Sequence, residues 1–430
     1  MSILQLLTLI ASLVTFAAST EHTCDCATRS SDLTLQQLCQ SLATIPEPTT
    51  EVSKQAANGW RVSPAEYFGT GIDGPLVVNE HDNVKINKFA QVLKVTKKGS
   101  EKLKVNRVNI FTAGKEVYII QMKGTNAGES MFARVKTVDF KRSFIIINAG
   151  LTFDCNSTET NRCQVVTVPH FVNVTLNGRA IISGTHWNGE TGGIIVFRSK
   201  NMVDVGPTSS KISACAIGFR GGAYGDNGYG FQGESYTGSA MRSNAANMGG
   251  GGGGGRRYSY SSLENGGGGG GAHYSSGNDG SNNNNGGVAY ATSSMTEKIF
   301  MGSGGGGGNR YTGCCALPGA GGNGGGIVMI FTPVIIGSGG IISSCGGKGQ
   351  AAGHNFAGSE YPGGGGGGAG GSVLLFTDSE VPQNGSVSID VTGGNGGTTS
   401  NIGYSAYTGG DGGYGVYMLG QNTRGPITLY

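Results

Sequence analysis

Charge is scarce in this chain. Asp, Glu, Lys and Arg together make 13% of 430 residues, about half the usual share for a soluble domain. Net charge is only +3, which gives no polybasic footprint for nucleic acid. Proline numbers 11 and no strict Gly-X-Y period runs through the glycines, so a collagen triple helix is excluded. Long apolar runs are missing after residue 16, so no later segment reaches the roughly 20 residues of a membrane-spanning helix. The six His stand apart, with no H-E-x-x-H or C-x2-C spacing for zinc. No G-x-S-x-G elbow is present, and Gly409 to Tyr414 departs from a calcium β-roll repeat at Tyr414. These absences predict a protein that is not an enzyme and carries no cofactor.

Glycine is abundant, at 82 residues. About four-fifths of it follows Gly218, and it sits inside a recurring phrase. Gly-Gly-Ile-Ile-Val-Phe-Arg (192–198), Gly-Gly-Gly-Ile-Val-Met-Ile-Phe (324–331) and Gly-Gly-Ser-Val-Leu-Leu-Phe (370–376) share one grammar. Each is an apolar run ending in Phe, then a turn, a second short strand and a glycine tract. A unit of this kind cannot bury its own apolar face, so recurrence predicts stacking. Continuous apolar runs such as 327–331 predict strands buried on both faces.

The expected fold is mainly β: a β-barrel or sandwich module, then a β-solenoid-like repeat region with long glycine-rich insertions. Residues 1–19 read as a secretory signal, with an apolar stretch at 3–16 and small residues before the mature chain. Residues 20–58 form a Cys-containing entry segment and linker. Short β-branched runs at 75–78, 84–86, 92–95, 105–111, 117–122, 132–138, 144–147 and 164–168 assign 59–168 to the barrel or sandwich. About fifteen Lys/Arg against eight Asp/Glu between 59 and 150 would draw an acidic polysaccharide or acidic protein to it. First solenoid rungs are expected over 169–222, a glycine-rich insertion over 223–323 and C-terminal repeats over 324–430. Glycine loses the most backbone entropy on ordering. An ordered insertion therefore needs extended three-residue-per-turn helices lying side by side and bonded to each other.

Nine Cys in a secreted chain read as a disulfide set: Cys24, Cys26, Cys39, Cys155, Cys163, Cys215, Cys314, Cys315 and Cys345. Cys155 with Cys163 is the best local pair, and the odd count leaves one thiol free or intermolecular. Asn156, Asn173 and Asn384 open N-x-S/T sequons. Tyr258, Tyr260, Tyr274 and Tyr311 are the candidate ligand contacts of the glycine loops. Glu190, Asp204 and Glu234 are the carboxylates a glycan-cleaving reading would need.

Trp187-Asn188-Gly189-Glu190-Thr191-Gly192-Gly193 with Val196-Phe197-Arg198, and Gly218-Phe219-Arg220-Gly221-Gly222, resemble a widespread family of secreted glycine-rich proteins. That resemblance implies a secreted repeat scaffold and carries over no catalytic residues. The expected function is structural: a framework component of an extracellular matrix or coat, such as the organic matrix of a mineralised skeleton or shell. Other matrix proteins or polysaccharides would be its partners. Asp plus Glu total 27, without clusters, so the chain would be framework and not mineral nucleator. The alternatives are an adhesin using its Tyr-bearing glycine loops, and a polysaccharide-active β-helix enzyme.

Overall fold

The computed structural model describes residues 67–226, 228–238, 240–255, 266–291, 298–310, 317–353, 362–378, 386–398, 407–421 and 428–429. The expected signal and entry segments lie outside them. Among the described residues the elements are strands, with a 3-10 turn at Val108–Ile110.

The expected barrel or sandwich module is a half-barrel, a six-stranded antiparallel sheet of β3 (Phe89–Gln91), β8 (Arg162–Val168), β5 (Glu116–Lys123), β6 (Ser130–Asp139), β7 (Phe144–Ile147) and β4 (Lys102–Lys104), in that order. An antiparallel bridge between Val92 and Val105 joins its two outer strands, so the sheet curls back on itself. The interior is Val117, Ile119, Val135, Ile145, Ile147 and Val165, set by period-2 alternation along the strands. Cys155 and Cys163, both buried with that interior, are bonded to each other.

Two further sheets are parallel. The first runs β1 (Leu76–Val78), β9 (His170–Leu176), β11 (Ile194–Pro207), β15 (Ile327–Phe331), β18 (Ser372–Thr377) and β20 (Val416–Gln421). It ends in antiparallel β21 (Thr428–Leu429), while β16 (Ile335–Ser338) extends along β11. The second stacks β2 (Asn83–Val84), β10 (Ile181–Ser183), β12 (Lys211–Ser213), β17 (Gly340–Ser343) and β19 (Val387–Asp390). The chain passes from a strand of the first sheet to one of the second on each circuit. Ile195, Val328 and Val373 are in register on the first sheet. They pack with Ile182, Ile212 and Ile342 of the second. The opposite face of the first sheet, with Val196, Met329 and Leu374, packs on Tyr118, Phe132 and Val166 of the barrel. These strands are therefore apolar along both faces, as the continuous runs predicted.

One expectation fails. The runs at 75–78 and 84–86 belong to the parallel sheets and not the barrel: Leu76 to Val78 pairs with Val174 to Leu176, and Asn83 with Ile181. The barrel is thus inserted between the first circuit and the second. Strands of two or three residues carry too little periodicity to show which sheet they join.

Candidate functional site

The glycine tracts continue the strands. Residues 319–326 lead into β15, 363–371 into β18 and 409–415 into β20, while 218–225 and 344–350 leave β12 and β17. They form three-residue-per-turn segments whose backbones bond to one another and to further glycine segments at 250–255, 266–271 and 302–309, plus one short pair, β13 (Gly225–Asp226) with β14 (Asn309–Arg310).

The segment 302–309 lies at the centre. Gly302, Gly305 and Gly308 donate to the carbonyls of Gly325, Gly322 and Gly319. One residue on, Ser303 and Gly306 donate to Ala272 and Gly269, and Gly304 and Gly307 donate to Glu234 and Phe231. Its carbonyls accept from three more segments: from Gly252 and Gly255, from Gly222 and Gly225, and from Gly363 and Gly366. Six neighbours surround one helix, the arrangement a threefold screw repeat gives when every amide and carbonyl points outward. Neighbours run both parallel and antiparallel, since the bond pattern repeats every third residue either way. A Cβ on Gly304 would stand 2.0 Å from the Arg220 carbonyl oxygen, and one on Gly306 1.9 Å from that of Gly253. Only glycine permits this approach.

Each ordered residue costs about 1–2 kcal/mol of backbone entropy, while a net hydrogen bond returns about 1 kcal/mol. The lattice is therefore marginal alone and depends on its anchors. Two buried carboxylates tie the lattice, and the strands it extends, to the barrel. Glu116 of β5 accepts from the Arg198 guanidinium at 2.7 and 3.1 Å and meets His170 Nε2 at 2.8 Å. Arg198 in turn lies over the rings of Phe331 and Phe132 and donates to the Tyr67 carbonyl. Burial pushes the Glu116 carboxyl up, but His170 and Arg198 outweigh it and hold it below its ordinary value. Glu234, within the lattice, accepts from Lys123 of the barrel at 2.8 Å, from Arg220 at 2.9 Å and from Trp187 Nε1 at 3.2 Å. Burial again raises it, and the Arg220 hydrogen bond and Lys123 charge win, lowering it. One carboxylate pins barrel to sheet; the other pins barrel to glycine.

Among the sequence-derived candidates, Glu234 is thus held by two cations, whereas Glu190 is on an exposed turn and Asp204 Oδ1 accepts from the Gly206 amide. Tyr274 is 44% exposed; Tyr258, Tyr260 and Tyr311 lie outside the described residues. So do Cys24, Cys26, Cys39, Cys314, Cys315 and Asn384. Cys215 is bonded to Cys345, linking neighbouring circuits just beyond β12 and β17. Asn156 and Asn173 are half-buried, each with a side-chain oxygen enclosed and unpartnered. Among the described residues no group of three His, Cys, Asp or Glu is placed to hold a metal, and no helix is long and apolar enough to cross a membrane.

The outer face of the second sheet carries an open pocket of about 320 Å³. Asn83, Ile181 and Lys211 align across β2, β10 and β12, as do Ser183 and Ser213. Lys85 and His186 complete its polar lining. Sequence reasoning missed this pocket and the Glu116–Arg198–His170 cluster. One signal was available for the cluster: Ile194, Val196 and Arg198 share a face by period 2, and an Arg on an apolar face requires a buried acid.

No protein-family model and no curated protein matches the chain. Among solved structures it is similar to the Gp54 tailspike of Acinetobacter baumannii bacteriophage AP22, solved in complex with A. baumannii capsular saccharide. The match has 9% identity and a TM-score of 0.19, covering 39% of this chain and 32% of that one. The tailspike protein gp49 of Pseudomonas phage LKA1 matches at 8% identity and TM-score 0.17, covering 32% and 28%. The chain thus matches about a third of each tailspike's length.

Proposed function

We propose that the protein is a secreted structural component, a framework element of an extracellular matrix or coat, built as a short β-solenoid whose circuits extend into a glycine lattice. The observation that carries this reading is the six-neighbour environment of 302–309. A segment whose every amide and carbonyl is spent on its neighbours has nothing left for chemistry and much to give to rigidity. Two disulfides favour an oxidising compartment. Matrix proteins and polysaccharides are the partners this reading implies, with a mineralised skeleton or shell as one setting. Fractionation of the native source tests it: the protein belongs in the insoluble extracellular fraction. Recovery solely as a soluble monomer contradicts the reading.

The second reading is an adhesin, favoured by the exposed Tyr274 ring at the lattice surface. Deletion of the glycine loops cannot test it, because the central helix at 302–309 lies among them. Replacing Tyr258, Tyr260, Tyr274 and Tyr311 by Ser and probing a glycan array does: retained binding discards the loops as the recognition surface.

A further inference from the structure

We propose that the outer face of the second parallel sheet binds an acidic polysaccharide, with Lys85 and Lys211 as its anion contacts. This rests on the reading that the protein works among extracellular polymers.

The pocket is lined by Asn83, Lys85, Ser183, His186, Lys211 and Ser213, and no acidic side chain contributes. Both lysines are exposed, and neither forms an ion pair among the described residues. The lysine pair of β4 is different. On the barrel, the Lys102 and Lys104 ammonium groups lie 4.2 and 5.8 Å from the Phe144 ring centroid, so each is already engaged. In a chain this poor in charge, two such ammonium groups facing one open pocket make a site that draws anions.

The shape favours a polymer over a free ion. Parallel strands in register repeat their side chains about every 4.8 Å across the sheet. Ser183 and Ser213 form such a row, continued by the buried Ser343 and the half-buried Asp390 of β19. Ser183 Oγ donates to Asn83 at 2.6 Å, and Ser343 Oγ donates to Ser213 at 3.1 Å. The half-buried Ser183 and Ser213 hydroxyls, one strand spacing apart, match hydroxyls of a pyranose chain, and Lys85 and Lys211 beside them in the pocket match its carboxylate or sulfate groups.

The test uses the full secreted chain with its disulfides intact. Binding of polygalacturonate and of a sulfated glycosaminoglycan is measured by calorimetry, with dextran and sodium sulfate as comparisons. The K85E/K211E pair should weaken acidic-polymer binding by about tenfold or more without moving the melting temperature, while K102E/K104E leaves it unchanged. Loss only in K102E/K104E, equal binding of dextran, equal affinity for sulfate ion, or no binding at all would each overturn the proposal. Fractionation of the native source tests the framework reading and is indifferent to these variants, so the two fail separately.

Discussion

Gly304 lies against Arg220 so closely that a Cβ on the glycine would sit 2.0 Å from the arginine's carbonyl oxygen. Two chain segments meet there backbone to backbone, with no room for a methyl group between them. Gly304→Ala, and equally Gly306→Ala, should destabilise the protein by about 3 kcal/mol or more, as overpacking does where neither side can yield. Gly238 has nothing within 4 Å of its Cβ position, and Gly238→Ala should be close to neutral. Denaturant midpoints of the three variants check this.

The buried carboxylates predict a second set of effects. Glu116→Ala leaves the Arg198 guanidinium enclosed without its acid, at a cost of about 3–5 kcal/mol. Glu234→Ala does the same to Lys123. Both carboxyls sit below their ordinary value in the fold. The stability they contribute is therefore present above about pH 4.3 and lost as pH falls through the folded values. Acid titration of the melting temperature should show the loss in the native chain and a smaller one in each variant.

His273 acts in a higher pH window. Its ring is buried, Nε2 bonds the Phe300 carbonyl at 3.1 Å and Nδ1 has no partner. Burial holds its pKa at about 4 against the ordinary 6.5, despite the opposing Phe300 hydrogen bond. The unfolded chain binds a proton that the fold rejects, so this contribution is complete above pH 6.5 and lost between 6.5 and about 4. It amounts to roughly 3 kcal/mol. His273→Gln should flatten the stability profile across that interval; an unchanged slope would assign it to another group.

Much of this architecture was readable in the residues. The runs at 194–197, 327–331 and 373–376 are apolar on both faces, and such strands have to be covered twice, which is where they lie. Cys155 and Cys163 are close enough in sequence to have one evident pairing. The glycine tracts announced extended helices, but not which tracts are neighbours, because a residue without a side chain encodes no partner preference. Glu116, His170 and Arg198 were hidden by distance along the chain, since only folding sets β5, β9 and β11 together. Lys85 and Lys211 looked like ordinary surface lysines until the register of β2, β10 and β12 placed them on one pocket.

The two disulfides should differ in weight. Cys215–Cys345 closes a separation of 130 residues and Cys155–Cys163 one of 8. Loop-closure entropy sets their contributions near about 5 and about 2.5 kcal/mol. Replacing each pair by Ser and comparing melting temperatures should show the larger loss for the pair at 215 and 345.

Hydrogen–deuterium exchange across 302–308 and 363–371 addresses the lattice itself. If neighbouring glycine backbones hold one another's amides, peptides from both segments should exchange only through global unfolding, as slowly as those from β11 and β15. Exchange at the rate of a free chain in those peptides, with the strands still protected, would contradict the account.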